Sequence, residues 1–187
     1  MAVASIVISL LAVVVSGVTA WLTLFRRGTL RMTQPTLVFF GPDSRSDDPK
    51  VFLRTLLYST AKRGQIIENM FVKLQRGESV QNFSIWVYGE GALARGSGLL
   101  VTENGATFNH HFLLPKDGTH FEFLAGEYAV ETYASLVGKP APLLLNRVNL
   151  PVSEQQATAM KGTGVGLFFD WGPDSKRYHP HLDERPS

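Results

Sequence analysis

Residues 124–134 read LAGEYAVETYA, and the fold turns on how this stretch is read. Leucine, glycine and tyrosine stand in the order Leu124-Ala125-Gly126-Glu127-Tyr128, and from Tyr128 onward the residues alternate in character. Alternation with a period of two belongs to a half-buried β-strand, because successive side chains leave a strand on opposite faces.

Outward from this stretch, the chain is a series of short β-rich segments separated by turns. Ahead of it, Pro115-Lys116-Asp117-Gly118 is a turn, in which proline pre-sets φ and glycine accepts a positive one. Asn104-Gly105 lies between apolar runs at 98–102 and 106–114, the strongest short signal for a hairpin. Further strands are expected at 36–40, 51–59, 66–74, 80–88, 119–124, 128–136, 142–152 and 165–170. Within 80–88, Phe83, Ile85 and Val87 alternate with Asn82, Ser84 and Trp86, so the first set is expected to face the core. Ser153-Glu154-Gln155-Gln156 has the form of a capping box, and Gly162 is placed to stop a short helix near Lys161. So many strands with so little helix predict a mainly β, antiparallel sandwich or barrel.

The Leu-x-Gly-x-Tyr sequence of Leu124, Gly126 and Tyr128 resembles the corner of immunoglobulin-like sandwiches, where a tyrosine hydroxyl bonds back to the preceding turn. The resemblance implies an antiparallel immunoglobulin-like β-sandwich with Tyr128 and Gly126 as structural residues. Residues 119–124 would correspond to its E strand, 128–136 to F and 142–152 to G. There is no cysteine pair, so the general sandwich alone is implied. The whole chain also resembles bacterial single-pass membrane proteins with an immunoglobulin-like domain, a resemblance that brings no activity with it.

Residues 2–25, AVASIVISLLAVVVSGVTAWLTLF, carry no charge. As a helix they would extend ~36 Å, enough to cross a bilayer's hydrocarbon core with some tilt. Residues 1–27 are therefore expected to be an N-terminal transmembrane anchor, 28–35 a juxtamembrane linker, 36–178 the β-sandwich domain and 179–187 a C-terminal tail. Val18-Thr19-Ala20 resembles a signal-peptide cleavage site. No positive n-region precedes it, however, and the apolar run continues through Trp21, Leu22, Leu24 and Phe25, so an uncleaved anchor is expected. Arg26, Arg27 and Arg31 follow the run and no Lys or Arg precedes it. By the positive-inside rule the domain then lies on the cytoplasmic side of the inner membrane, the alternative being the periplasm. Ser5, Ser9, Ala12, Ser16, Thr19 and Thr23 recur at steps of four and three, which puts small residues on one helical stripe where a second helix can approach. A homo-oligomer or a partner helix is expected there.

The sequence pI near 9.0 misleads about partners. Two of the 18 basic residues are Arg26 and Arg27, which leaves 16 against 16 acidic residues beyond the anchor. With no overall basic bias and no nucleic-acid motif, nucleic acid is not an expected partner. The chain has no cysteine, hence no disulfide, thiolate nucleophile or Cys-based metal site. His110, His111, His120, His179 and His181 do not have ligand spacing, and no metal or other cofactor is expected. No Gly-x-Ser-x-Gly elbow or Walker lysine is present; Gly96-Ser97-Gly98 and Gly162-Thr163-Gly164 lack the required context, and the expectation is a non-enzyme.

Two stretches, 41–44 and 172–175, both read Gly-Pro-Asp-Ser. They read as chain-reversing turns, one after the first strand and one after the last, not as a duplicated site. Trp86, Tyr88, Trp171 and Tyr178 are the candidate interface aromatics, since aromatics beside polar neighbours anchor interfaces. The expected function is a membrane-anchored, non-enzymatic interaction or scaffold module that binds a protein partner. The alternatives are an exported sandwich binding a sugar or other small ligand, and a histidine-based metalloprotein.

Overall fold

The longest strands set two layers. A computed structural model describes residues 2–25, 28–43, 48–89, 94–96, 98–118, 120–162 and 164–184. Arg26 and Arg27, Ser44 of the first Gly-Pro-Asp-Ser stretch, Ser97, Thr163 and the last three residues lie outside that set. In β3 (Pro49–Ser59) the residues Val51, Leu53, Thr55, Leu57 and Ser59 are buried, and in β10 (Gly126–Leu136) so are Tyr128, Val130, Thr132, Ala134 and Leu136. Each strand thus commits one face to the same core.

Around β3 the first sheet runs in the order β13-β12-β2-β3-β9-β6-β7. Its strands are β2 (Leu37–Pro42), β6 (Ile85–Gly89), β7 (Ala94–Arg95), β9 (Ala106–Leu113), β12 (Val165–Gly172) and β13 (Arg177–Glu184), with β1 (Leu30–Met32) also paired to β3. Around β10 the second sheet runs β11-β10-β4-β5, from β4 (Gln65–Arg76), β5 (Ser79–Phe83) and β11 (Leu143–Val152), and β8 (Leu99–Val101) also pairs with β4. All pairs are antiparallel. The inner orders β2-β3-β9-β6 and β11-β10-β4-β5 are A-B-E-D and G-F-C-C′ of an immunoglobulin-type sandwich. The β12–β13 hairpin extends the first sheet beyond its A strand.

Several sequence expectations change here. The E strand is β9; residues 120–124 pair with no strand and cross the end of the sandwich. Asn104-Gly105 does turn the chain, but it carries it from β8 in one sheet to β9 in the other, so it closes no hairpin. The segment 80–88 is two strands, because the chain leaves one sheet at Phe83 and joins the other at Ile85. Inward means opposite directions in two facing sheets, so the alternation must slip by one residue at Ser84. Phe83 stays in the core at 0% exposure, Trp86 joins it at 2%, and Ile85 and Val87 turn to the partly exposed outer side. Residues 28–35 are not a plain linker: Leu30 and Met32 are buried and β1 pairs with β3. Residues 179–184 are not a tail: they belong to β13, whose Pro180 is opposite Phe169 and is tolerated because β13 is the sheet's outermost strand among the described residues.

The N-terminal helix α1 (Ala2–Ala20) continues as a π-helical turn, Trp21–Phe25, and the stretch Val3–Phe25 is long and apolar enough to cross a membrane, with mean hydropathy 2.4. The second helix, α2 (Glu154–Ala159), is capped as its sequence predicts. The Ser153 hydroxyl accepts from the Gln156 amide, and the Gln156 side chain accepts from the Ser153 amide. The strands run end to end between two poles. The anchor pole holds β1, the 60–64 turn and the 137–142 turn; the far pole holds α2, the β4–β5 turn and residues 120–126.

Candidate functional site

The corner at Tyr128 builds the far pole. The Tyr128 hydroxyl donates to the Leu124 carbonyl (2.8 Å) and accepts from the Leu124 amide (2.9 Å), so one side chain closes both backbone groups of the turn. Burial raises the hydroxyl above its ordinary pKa, against the pull of its Leu124 bond and of Arg76. Gly126 sits at φ +138°, and a Cβ there would lie 3.1 Å from Arg76 Cδ. The backbone angle therefore favours glycine, and a Cβ would also push the Arg76 side chain aside by a few tenths of an ångström. Arg76 passes over Gly126 to donate to the Ala125 carbonyl at 3.3 Å. Beneath the corner, the Tyr128 ring meets Phe40 edge-on at 5.5 Å, and Phe40 stacks on Phe123 at 5.0 Å.

Between this corner and β5 lies a groove of about 340 Å³. Leu74, Phe121 and Tyr128 line it together with Val80 and Leu124, which are 49% and 40% exposed. Arg76, His120 and Glu122 supply the polar part, His120 Nε2 lying 3.3 Å from a Glu122 carboxylate oxygen. A second groove, about 290 Å³, opens on the other side of the same crossing segment, against Pro42, Phe123 and Met160. β5 is the outermost strand of its sheet among the described residues. An edge strand beside exposed apolar side chains offers both backbone pairing and pockets to an extended segment.

The four expected interface aromatics are mostly used inside the fold. Trp86 is buried, stacks on Tyr88 at 4.7 Å and donates its indole N–H to His110 Nδ1 at 3.1 Å, which corrects its place on an exposed surface. Tyr88 is half-buried and donates to the Gly98 carbonyl at 3.1 Å. Tyr178 donates to the Pro35 carbonyl (2.7 Å) and accepts from Gln34 (2.9 Å), joining β13 to the chain ahead of β2; burial pushes its pKa up to about 12. Trp171 packs against it at 5.1 Å.

The histidines do not converge, and among the described residues no group of three or more His, Asp or Glu side chains is placed to hold a metal. His110 is in the core, where burial, with His111 beside it, lowers its pKa to about 4. Because its Nδ1 accepts from Trp86, its proton resides on Nε2, and that N–H has no hydrogen-bond partner among the described residues. His111 lies on the outer face against Phe52 at 4.8 Å. Ser175 Oγ is 2.8 Å from His179 Nε2, but the neighbouring carboxylate, Asp170, contacts His181 instead, at 3.2 Å. Among the described residues no carboxylate contacts His179 to orient it as a catalytic histidine is oriented. In α1, Ser9, Thr19 and Thr23 donate to the carbonyls of Ser5, Val15 and Thr19, so these hydroxyls are satisfied within the helix.

Two groupings escape sequence reading. On the outer face of the second sheet, the buried Glu131 carboxylate accepts from Tyr133 (2.9 Å) and Lys73 (3.2 Å) and lies 3.4 Å from Arg147. The Tyr133 hydroxyl bond, with Lys73 and Arg147 helping, holds Glu131 below its ordinary pKa, and the same bond raises Tyr133. Every member is partnered, so the cluster fastens strands. On the outer face of the first sheet, Phe168 packs on Phe39 at 4.7 Å and stacks with His181 at 5.4 Å. Register creates both groupings, and register is not visible in one strand's sequence. The groove had a partial local signal, Val80 among polar neighbours and Leu124 just ahead of the corner glycine.

No protein-family model, curated protein or solved structure matches the chain.

Proposed function

We propose that this protein is a membrane-anchored, non-enzymatic binding module, held by α1 in the cytoplasmic membrane and binding a protein segment in the groove between β5 and the Tyr128 corner. The reading is supported chiefly by one observation: Val80 and Leu124 stay exposed around a groove beside a sheet edge that is unpaired among the described residues, at the pole opposite the anchor. An extended segment would add to β5 and set apolar side chains between them. The small-residue stripe of α1 leaves that helix a face for a second helix.

A photo-cross-linking residue in place of Val80, in the full-length protein in its membrane, tests the reading. A discrete adduct is expected, lost on Leu124→Asp and absent when the cross-linker replaces Asn149 on β11. Equal labelling from both positions would overturn it. The presence of Arg76, His120 and Glu122 beside Phe121 also suits a sugar or another small polar ligand on an exported domain. A reporter fused after Ser187 separates the two, since activity only in the periplasm removes the cytoplasmic reading.

A further inference from the structure

Among the described residues outside α1 and its π-helical turn, the large apolar side chains Ile66, Val80, Leu100, Leu124, Val137, Leu144 and Leu182 are exposed. Val80 and Leu124 belong to the far groove. Four of the others gather at the anchor pole. Ile66 (49% exposed) is directly opposite Leu100 (59%) in the β4–β8 pair, and the Val137 amide donates to the Ile66 carbonyl at 3.0 Å. Leu144 follows one turn later, opposite Tyr133 at the start of β11.

The charges around them are unlike those of the rest of the domain. Arg31, Lys62, Arg63 and Lys139 are all exposed on the strand and turns of this pole, which also carries the exposed Glu68 and Glu103. The exposed carboxylates Asp48, Glu78, Asp117, Glu122, Glu127 and Glu154 lie at the other end, where Lys116 and Lys161 are the exposed lysines. Among the described residues, cations thus outnumber carboxylates at the end nearest the anchor, and carboxylates outnumber cations at the far end.

The chain fixes the distance. Four residues separate Phe25 from Leu30, where β1 begins, so Leu30 is within ~18 Å of the helix end even if they are fully extended. The Gln65 side chain donates to the Gly28 carbonyl (2.8 Å), and the Thr60 amide donates to the Thr29 carbonyl (3.0 Å), which ties the start of the domain to its own 60–65 turn. Exposed apolar side chains on the same turns and strand ends as Lys62, Arg63 and Lys139, kept this close to a spanning helix, match the interfacial layer of a bilayer with anionic headgroups.

We infer that the anchor pole is a second membrane contact: Ile66, Leu100 and Val137 enter the headgroup layer while Lys62, Arg63 and Lys139 pair with anionic lipid, so the domain stands on the surface with its far groove turned away. This rests on α1 spanning the membrane, and the test separates the two ideas.

The chain has no cysteine, so single labels can be placed at will. Ala141→Cys at the anchor pole and Thr158→Cys on α2 each carry a fluorophore in the full-length protein. The variants are reconstituted into phosphatidylcholine vesicles with or without phosphatidylglycerol, and with spin-labelled lipid as quencher. The label at 141 should be quenched in the anionic vesicles, the one at 158 should not, and salt should reverse the effect. Each Lys or Arg near an anionic leaflet contributes about fivefold, so Lys62→Glu, Arg63→Glu and Lys139→Glu together should lower the docked-to-free ratio roughly a hundredfold or more. Equal quenching with and without phosphatidylglycerol, or none at 141, overturns the docking. Disulfide formation between two copies through Ala141→Cys would put a second copy on this pole and overturn it as well. Alkaline extraction of the same vesicles reports on the anchor. Protein that is released contradicts both ideas, whereas protein that stays embedded with an unquenched label contradicts the docking alone.

Discussion

Tyr128 holds a single turn from both sides: its hydroxyl gives a proton to the Leu124 carbonyl and takes one from the Leu124 amide. Tyr128→Phe keeps the ring in the core and leaves both groups without that partner, so it should cost about 1–2 kcal/mol, read as a lower urea midpoint with unchanged slope. An unchanged midpoint would show that water serves the turn equally well. This residue was legible in sequence because its partner is four positions away. Trp86 was not, since its burial depends on the sheet change at Ser84. His110 yields a pH prediction. Its pKa is 6.5 when exposed and about 4 in the fold, so below pH 6.5 the unfolded chain binds the extra proton and folding weakens as pH falls. The loss should reach about 3 kcal/mol by pH 4 and then level off. His110→Leu should flatten that part of the stability curve relative to the parent, whatever its effect at neutral pH. Parallel curves between pH 6.5 and 4 would mean that His110 titrates normally.

At the scale of elements, the β12–β13 hairpin reaches furthest beyond what the sequence displays. Pro180 reads as a strand breaker, and it is harmless only because the hairpin lies at the sheet's edge, a property of strand order. The start of α2 was fully legible, because a capping box is local chemistry, whereas the helix ends at Ala159, ahead of the stop expected near Lys161. So was the β10 strand, whose alternation faces a single core throughout. The E-strand assignment failed for the opposite reason: 119–124 has strand-like composition, and whether it pairs is decided by neighbours far along the chain. Removing residues 164–187 strips the fully buried Leu167 and Phe169 from the core and uncovers the edge of β2. Each such side chain contributes about 1.5–3 kcal/mol, so the melting temperature should fall by roughly 10 °C or more, with aggregation through the bare edge. A truncated protein that melts like the parent would make the hairpin an accessory.

For the molecule as a whole, composition foretold an apolar N-terminal helix and a β-rich domain but concealed the division of charge between the two poles. Net charge is a sum, and the sum beyond the anchor is zero. Only strand direction shows that Lys62, Arg63 and Lys139 share one end while Glu78, Glu122 and Glu127 share the other. The groove was hidden in the same way, since Val80 and Leu124 are 44 positions apart in sequence and meet through the packing of Phe83 against Phe121 and Phe123.

The way β1 joins the domain has a mechanical meaning. Leu30 enters at the anchor pole and β1 runs toward the far pole, with Leu30, Arg31 and Met32 opposite Ser59, Tyr58 and Leu57. Below them the Thr60 amide bonds the Thr29 carbonyl, and above them the Thr33 and Thr36 amides bond the Leu56 and Arg54 carbonyls. With α1 held in a bilayer, tension between the membrane and anything gripping the far groove would pull along this strand, parallel to β3. The rungs would then share the load in shear, and none would be peeled before the next. A protein tethered through such a strand resists tugging by the failure of many bonds at once, and its lifetime under force is set by unfolding rate, not by equilibrium stability.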